Sequence, residues 1–380
     1  MCLLAIAGAL VAAEARARSA ESFPEAPALP GRIAYARTEG AIWNVYTSDA
    51  NGDNESQHTR YEENDGWAEH VRWSIDGRQL LFDWYPGDGT YSMFLLPLAG
   101  AIPTPLPLDG NVTDPAWSRD GRQIAYARRE LQPSEAPHDL FIWDGTSARE
   151  FAANEGVDER GPDWGPDGDV LFERRGVGGS WDLWIQDAAG TAAPAVDWSA
   201  THERMGRFSP DGDRIAFISG SFELGLGTLY VLDLESGQAT PLVAPADGPL
   251  SWSPDGSMIL FHNPRIAGTT PVTGDLMQDE SQIGLHLMDI ETRQVWRLRG
   301  AAGGDYDDTL FGGYGPDWWA PSPTPTPTAT ATATATARPL PAFLPWTARS
   351  AWMRTPTTEP TPLAGSTDSP APSVTPEPPG

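Results

Sequence analysis

Leu250-Ser251-Trp252-Ser253-Pro254-Asp255-Gly256, followed at once by Met258-Ile259-Leu260-Phe261, is the stretch whose reading decides the fold. An indole closes a first strand, Ser-Pro-Asp-Gly makes a tight turn, and a short bulky apolar run forms a second strand. The same phrase recurs. Val71-Arg72-Trp73-Ser74-Ile75-Asp76-Gly77 runs into Leu80-Leu81-Phe82, and Pro115-Ala116-Trp117-Ser118-Arg119-Asp120-Gly121 runs into Ile124-Ala125-Tyr126. Pro162-Asp163-Trp164-Gly165-Pro166-Asp167-Gly168 leads to Val170-Leu171-Phe172, and Gly206-Arg207-Phe208-Ser209-Pro210-Asp211-Gly212 to Ile215-Ala216-Phe217. The anchors Trp73, Trp117, Trp164, Phe208 and Trp252 stand 44, 47, 44 and 44 residues apart. A period of about 45 residues describes one radial array of repeats rather than two or three separate domains.

Each repeat reads as four short antiparallel strands. Third strands are expected over residues 92–97, 139–143, 182–186, 228–233 and 284–289, each followed by turn residues such as Asp144-Gly145 or Glu235-Ser236-Gly237. Apolar residues in succession, rather than in strict alternation, fit sheets covered on both faces. Four-stranded sheets stacked around an axis make a β-propeller. The first repeat begins in mid-phrase: Ile33-Ala34-Tyr35-Ala36 matches a second strand and Trp43-Asn44-Val45-Tyr46-Thr47 a third, with no anchored strand before them. The missing strand has a counterpart in Tyr314-Gly315-Pro316-Asp317-Trp318, which repeats Gly161-Pro162-Asp163-Trp164 without a following Asp-Gly turn. A late strand completing the first blade would leave no open edge. Second strands at Ile33, Leu80, Ile124, Val170, Ile215 and Ile259 predict an all-β, six-bladed propeller over residues 31–321. Trp252 and Trp318 are 66 residues apart, so the last blade carries an insertion, placed at residues 264–282.

Outside the array the composition changes. Residues 1–13 are small and apolar and too short to span a bilayer, and Val11-Ala12-Ala13 resembles a leader cleavage site. They are expected to be an export signal lacking its start, and residues 14–30 a linker. Residues 322–380, rich in Pro, Thr and Ala, cannot bury a core and are expected to be disordered. Cys2 is the only cysteine, which excludes a disulfide framework. The formal charge of −27 argues against nucleic acid and anionic membranes. All 25 basic residues are arginine, so lysine chemistry (a P-loop lysine, a Schiff base, a Ser-Lys dyad) is absent.

The phrase P-x-W-S-P-D-G-x-x-I-A-F resembles that of TolB-type, WD-repeat-like propellers. It is matched at Trp73, Trp117, Trp164, Phe208, Trp252 and in part at Trp318, over roughly residues 31–320. The resemblance implies an exported bacterial recognition propeller, periplasmic or at the cell surface, rather than TolB itself. Similar blades stand before serine peptidases of the prolyl oligopeptidase type, but no G-x-S-x-G elbow occurs here.

Candidate site residues follow from position. Glu69, Asp114, Glu159, Glu203 and Asp247, with Arg160 and Arg204, lie just ahead of the anchors. Loops entering innermost strands would gather them at one mouth of the channel, as a rim gripping a protein or peptide. Asp76, Asp120, Asp167, Asp211 and Asp255 stand at equivalent turns and are expected to be structural. Asp49-Ala50-Asn51-Gly52-Asp53-Asn54-Glu55 only partly matches a calcium loop, with Arg60 where the bidentate Glu would stand. His202-Glu203-Arg204-Met205-Gly206 lacks the second His of H-E-x-x-H, and His58, His70, His138, His262 and His286 are scattered among the blades. No cofactor, metal or catalytic residue is expected. Trp43, Trp67, Trp84, Trp181, Trp184, Trp198 and Trp296 pack between blades or offer exposed stacking surfaces. The expectation is a monomeric, non-enzymatic propeller binding a protein or peptide at the cell envelope. The alternatives are a carbohydrate-active enzyme using channel carboxylates and a structural envelope protein without a ligand.

Overall fold

The computed structural model describes residues 26–321, apart from 40–41, 63–65, 101, 132–135, 153, 155, 177–178, 199–200, 222–225, 264–283 and 299–315. The expected leader, the tail and the insertion at 264–282 therefore lie outside the described residues.

Bulky residues after each Asp-Gly turn form strands buried on both faces. The runs ending in Tyr35, Phe82, Tyr126, Phe172, Phe217 and Phe261 are the deepest parts of six sheets, all within 2% of full burial. Each such side chain contributes roughly 1.5–3 kcal/mol when fully buried. The first sheet begins with β1 (Arg32–Glu39), β2 (Ile42–Asp49) and the short β3 (Ser56–Gln57). The second holds β4 (Trp67–Trp73), β5 (Gln79–Tyr85), β6 (Ser92–Pro97) and β7 (Thr104–Pro105). Next come β8 (Asn111–Trp117), β9 (Ile124–Arg129), β10 (Asp139–Trp143) and β11 (Ala148–Ala152). The fourth comprises β12 (Asp158–Trp164), β13 (Val170–Arg175), β14 (Asp182–Gln186) and β15 (Ala192–Val196). The fifth has β16 (His202–Phe208), β17 (Arg214–Ser221), β18 (Leu226–Asp233) and the start of β19 (Ala239–Trp252). The end of β19 opens the sixth, with β20 (Met258–Asn263), β21 (Gly284–Asp289) and β22 (Val295–Arg297). This is a six-bladed β-propeller.

β23 (Asp317–Trp319) returns to the first sheet, whose order is β23-β1-β2-β3. Ile33 pairs with Trp318 and Ala34 with Asp317, so the last strand completes the first blade as the sequence predicts. Trp318 packs with Ile33 and Tyr35 of the first blade and with Leu260 and Leu287 of the sixth. Its indole N–H donates to the Pro30 carbonyl at 3.0 Å, and Ala26 and Leu29, expected as linker, lie against the same cluster. Trp319 caps the turn of the second blade, donating to the Ile75 carbonyl at 2.9 Å. A Cβ on Gly77, which also has φ +67°, would stand 2.3 Å from that indole.

One element departs from the expected plan. β19 is a single 14-residue strand serving two sheets: Ala239–Ala246 pairs with β18, and Asp247–Trp252 pairs with β20. The fifth and sixth blades are thereby joined in one seven-stranded order. The remaining anchors sit at seams between blades. Trp73 packs against Ala34 and Val45 of the blade before it, Trp164 against Ala116 and Ile142, Phe208 against Leu171, and Trp252 against Ile218.

The Asp-Gly turns are structural. Ser74 donates to Asp76 at 2.7 Å and accepts from the Gln79 amide, while Asp76 also accepts from the Arg78 amide. Ser118–Asp120, Ser209–Asp211 and Ser253–Asp255 repeat the arrangement. The hydroxyls of Ser74 and Ser118 hold the Asp76 and Asp120 carboxyls below their ordinary range. The calcium-like segment is a hairpin turn whose carboxylates accept internal amides, Asp49 from Asn54 at 2.6 Å and Asp53 from Asn51 at 2.8 Å.

Candidate functional site

The wall around the propeller axis is built by the innermost strands β4, β8, β12, β16, the end of β19, and β23. These strands neighbour one another in turn, and β23 lies beside both β19 and β4. Each of the first five carries a bulge at the same place: between Glu69 and Arg72, Thr113 and Ala116, Arg160 and Asp163, Arg204 and Arg207, and Asp247 and Ser251. At each bulge one residue adopts a left-handed backbone: His70, Asp114, Gly161, Met205 and Gly248, with φ of 43°, 56°, 57°, 59° and 73°. A bulge takes one residue out of the ladder and re-aims its side chain and amide. Glycine does this without strain. The non-glycine residues pay for it locally, and His70 and Asp114 bring charge to the wall.

The freed amides bind acids of the preceding blade. Asp83 on β5 accepts from the Asp114 amide at 3.0 Å, and Glu173 on β13 accepts from the Met205 amide at 2.8 Å. Both acids occupy the place held by Ala36, Ala127 and Ile218 in other blades. A carboxylate closing an apolar run was a legible signal for two functional residues that the repeat-based analysis passed over.

The structure brings the predicted residues together differently from expectation. They lie within the innermost strands, not in loops before them, because the bulge lengthens each strand by the residues counted as loop. Glu69, Arg160, Arg204 and Asp247 hold equivalent register positions, opposite Asp83, Glu173, Ile218 and His262. Glu159 and Glu203 are one residue earlier, and alternation along a strand turns them to the other face. Both are fully buried. Glu159 pairs with Arg174 at 2.7 Å and accepts from Asn154. Glu203 accepts from Thr201 at 2.6 Å, Ser219 at 3.0 Å and the Trp198 amide at 3.2 Å. These two acids belong to the packing, not to a rim. Only the backbone of Asp247 is described.

Burial raises the Glu203 carboxyl to about 7, against three hydrogen bonds that lower it. Between the ordinary carboxyl range and pH 7 the folded chain therefore holds a proton that the unfolded chain has lost. Stability present at pH 4.5 falls as pH rises to 7 and levels off above it, by up to ~3 kcal/mol. Glu203→Gln is expected to flatten this slope and to raise stability at pH 8, measured by urea unfolding at several pH values. An unchanged slope in the variant would refute the assignment.

Two charged groupings lie on or beside the innermost strands. At the seam of the second and third blades, His70 donates from Nδ1 to Asp83 at 2.8 Å, and its Nε2 lies 3.2 Å from the Asp114 carboxylate as an ion pair, with Glu69 alongside. Burial works against the imidazolium, but the two carboxylates outweigh it and raise His70 to about 9. At the fourth and fifth blades, three guanidiniums surround the Trp181 indole: Arg160 at 5.4 Å, Arg175 at 4.8 Å and Arg204 at 5.0 Å. Arg160 pairs with Asp158 at 2.7 Å and Arg204 with Glu173 at 2.6 Å, while Arg175, the most exposed, lies 3.8 Å from Asp158. Deeper in the wall, the residues before the anchors run Asp317, Arg72, Ala116, Asp163, Arg207 and Ser251 around the ring. Asp317 accepts from the Trp73 amide and Asp163 from the Phe208 amide, both at 2.8 Å, so each clasps the next blade. Burial and the like charge of Arg207 pull Arg72 down to about 10. Groups three blades apart interact only across the axis.

Of the tryptophans weighed as packing or stacking residues, those whose side chains are described are packed. Trp43 is core, Trp84 lies in the second-blade cluster, Trp184 and Trp198 in those of the fourth and fifth blades, and Trp296 beside Trp318. Trp181 is buried under its arginines, and the side chain of Trp67 is not described. His202 accepts from the Trp181 amide at 3.0 Å and is no part of a zinc motif.

The family model of the TolB beta propeller domain matches residues 24–271. This chain belongs to the TolB β-propeller family. The match covers four whole blades, the first blade except its closing strand, and part of the sixth. Among solved structures, TolB from Acinetobacter baumannii is similar at 18% identity and a TM-score of 0.57, over 76% of this chain and 66% of that one. Hydrazine synthase of Kuenenia stuttgartiensis gives 12% identity and a TM-score of 0.55, over 76% of this chain and 46% of that one. A puromycin-hydrolyzing peptidase of Mycobacterium tuberculosis gives 14% and 0.47, over 71% and 45%. At these identities the likeness concerns the TolB-type fold alone, and the fold serves both binding proteins and enzymes. No curated protein matches the chain in sequence. No helix among the described residues is long and apolar enough to cross a membrane.

Proposed function

We propose that this TolB-family propeller is an exported, monomeric, non-enzymatic recognition module that binds a protein or peptide at the cell envelope. Residues 1–13 act as its leader and residues 322–380 as a spacer beyond the propeller at 31–321. The observation that carries the proposal is the split polarity of the wall. Glu69, Asp83 and Asp114 gather at one seam, while Arg160, Arg175 and Arg204 surround Trp181 at another. A wall with opposite charges on separate blades selects a partner by charge order rather than by net charge, and complementary potentials give specificity and fast association. The indole beneath holds the arginines by cation–π contact, and Arg175, the most exposed, can meet a partner's carboxylate. Glu159 and Glu203 are fully buried and paired within the packing.

The test is selection from a displayed peptide library on the full-length chain. Enriched peptides should carry acidic residues at a fixed offset from basic ones and should lose at least tenfold in affinity between 50 and 300 mM salt, taken as order-of-magnitude conditions of about these values. Arg160→Glu with Arg175→Glu should abolish selection of the acidic residues. Enrichment that survives the reversal, or none at all, would overturn the proposal.

A further inference from the structure

We propose that Glu69, His70 and Asp83 form a divalent-cation site at the seam of the second and third blades, with Asp114 orienting the imidazole. The inference concerns the same acidic seam as the proposed function, but its test reads metal binding alone. One ligand atom from each of Glu69, His70 and Asp83 can be chosen so that all lie within 4.8 Å of one another. Adjacent residues on an ordinary strand face opposite ways, so Glu69 and His70 share a site only because the bulge turns His70 left-handed. β5 supplies Asp83 directly opposite Glu69.

An independent observation points to a missing ligand. Asp83 is fully buried, and its Oδ2 accepts from His70, from the Thr113 hydroxyl at 2.5 Å and from the Asp114 amide. Its Oδ1 is buried and has no hydrogen-bond partner among the described residues. A carboxylate oxygen left bare in the interior is costly, and its ordinary partner is a donor or a metal. Among the described residues no arginine forms an ion pair with Asp83 or Asp114. Glu69 also bonds Tyr91, and Arg160 and Arg204 act on Asp114 from the neighbouring seam, but only the imidazole pairs directly with Asp83, whose free oxygen a dication would satisfy.

The second shell is already in place. With Nδ1 bound to a metal, Nε2–H would still face the Asp114 carboxylate, 3.2 Å away. This is the carboxylate–histidine–metal arrangement that fixes tautomer and ring orientation. One imidazole and two carboxylates suit a borderline cation such as Zn²⁺ or Mn²⁺, whereas Ca²⁺ and Mg²⁺ prefer oxygen ligands alone. The side chains of His70 and Asp114 are 18% and 17% exposed, so solvent reaches the site and could fill further coordination positions.

The test uses the full-length chain after exhaustive chelation. Isothermal titration with Zn²⁺ and with Mn²⁺ should show one site, unaffected by excess Ca²⁺. Co²⁺ should give a visible spectrum that Zn²⁺ abolishes. His70→Gln and Asp83→Asn should each weaken binding by at least about tenfold, and Asp114→Asn by about 10–100-fold through the imidazole alone. Should a variant fail to fold, paramagnetic broadening of the His70 imidazole resonance by Mn²⁺ in the unaltered chain gives the same answer. Absence of a stoichiometric site, binding retained in both ligand variants, or an imidazole that Mn²⁺ leaves sharp would each overturn the proposal.

Discussion

Replacing Trp318 with alanine is expected to lower the free energy of unfolding by about 4 kcal/mol, within the range for large-to-small changes of buried aromatics. Its ring is 7% exposed and packs with Ile33, Tyr35, Leu260 and Leu287, so the cavity opens at the seam between the first and last blades. The loss reaches beyond volume. β23 is only three residues long, and besides its pairing with β1 and its indole bonds its ties include Asp317 to the Trp73 amide and the Trp318 amide to Ser251 at 2.9 Å. A strand so short is held by its side chains, and once it detaches, β1 becomes an open edge. Urea unfolding should show the lower midpoint, and light scattering should show concentration-dependent association that the unaltered chain lacks. A loss below ~1 kcal/mol with no association would mean that the ring is closed by other contacts.

Glu173→Ala is expected to cost about 3–5 kcal/mol, the range for breaking a buried pair by removing one partner. Glu173 is 2% exposed, accepts from Arg204 Nε at 2.6 Å, and takes the Met205 amide at 2.8 Å. Alanine would leave a guanidinium without its partner and a left-handed amide without an acceptor at one seam. Glu173→Gln keeps an acceptor for the amide and should cost about half as much, since the unpaired charge then dominates. A Glu173→Gln variant as stable as the unaltered chain would show that the charge of Glu173 contributes nothing, and equal losses in the two variants would show that the retained acceptor contributes nothing. Thermal and urea unfolding of both variants, at low and high salt, make the comparison.

Much of the fold was legible in the sequence because its determinants are local. Ser-Pro-Asp-Gly makes its turn from its own hydroxyl, carboxylate and amides, as Ser253 and Asp255 do, so a repeat of the phrase is a repeat of the hairpin. The anchor spacing, the six second strands and the late strand at Trp318 follow from the same phrase. The course of β19 did not, because nothing in residues 239–252 marks where pairing passes from β18 to β20.

The candidate site was only partly legible. Composition ahead of the anchors singled out Glu69, Asp114, Arg160 and Arg204, yet it also admitted Glu159 and Glu203. A strand's two faces differ by one residue, and a bulge shifts the count again. His70 looked scattered because its partners, Asp83 and Asp114, lie on two other strands. Turn chemistry and apolar runs, which act over a few residues, were determined by the sequence by itself: six hairpin-built blades and their closing strand. Which acids and arginines meet was decided by the tertiary structure, since a bulge aims each side chain and only ring closure sets one blade's charges against another's.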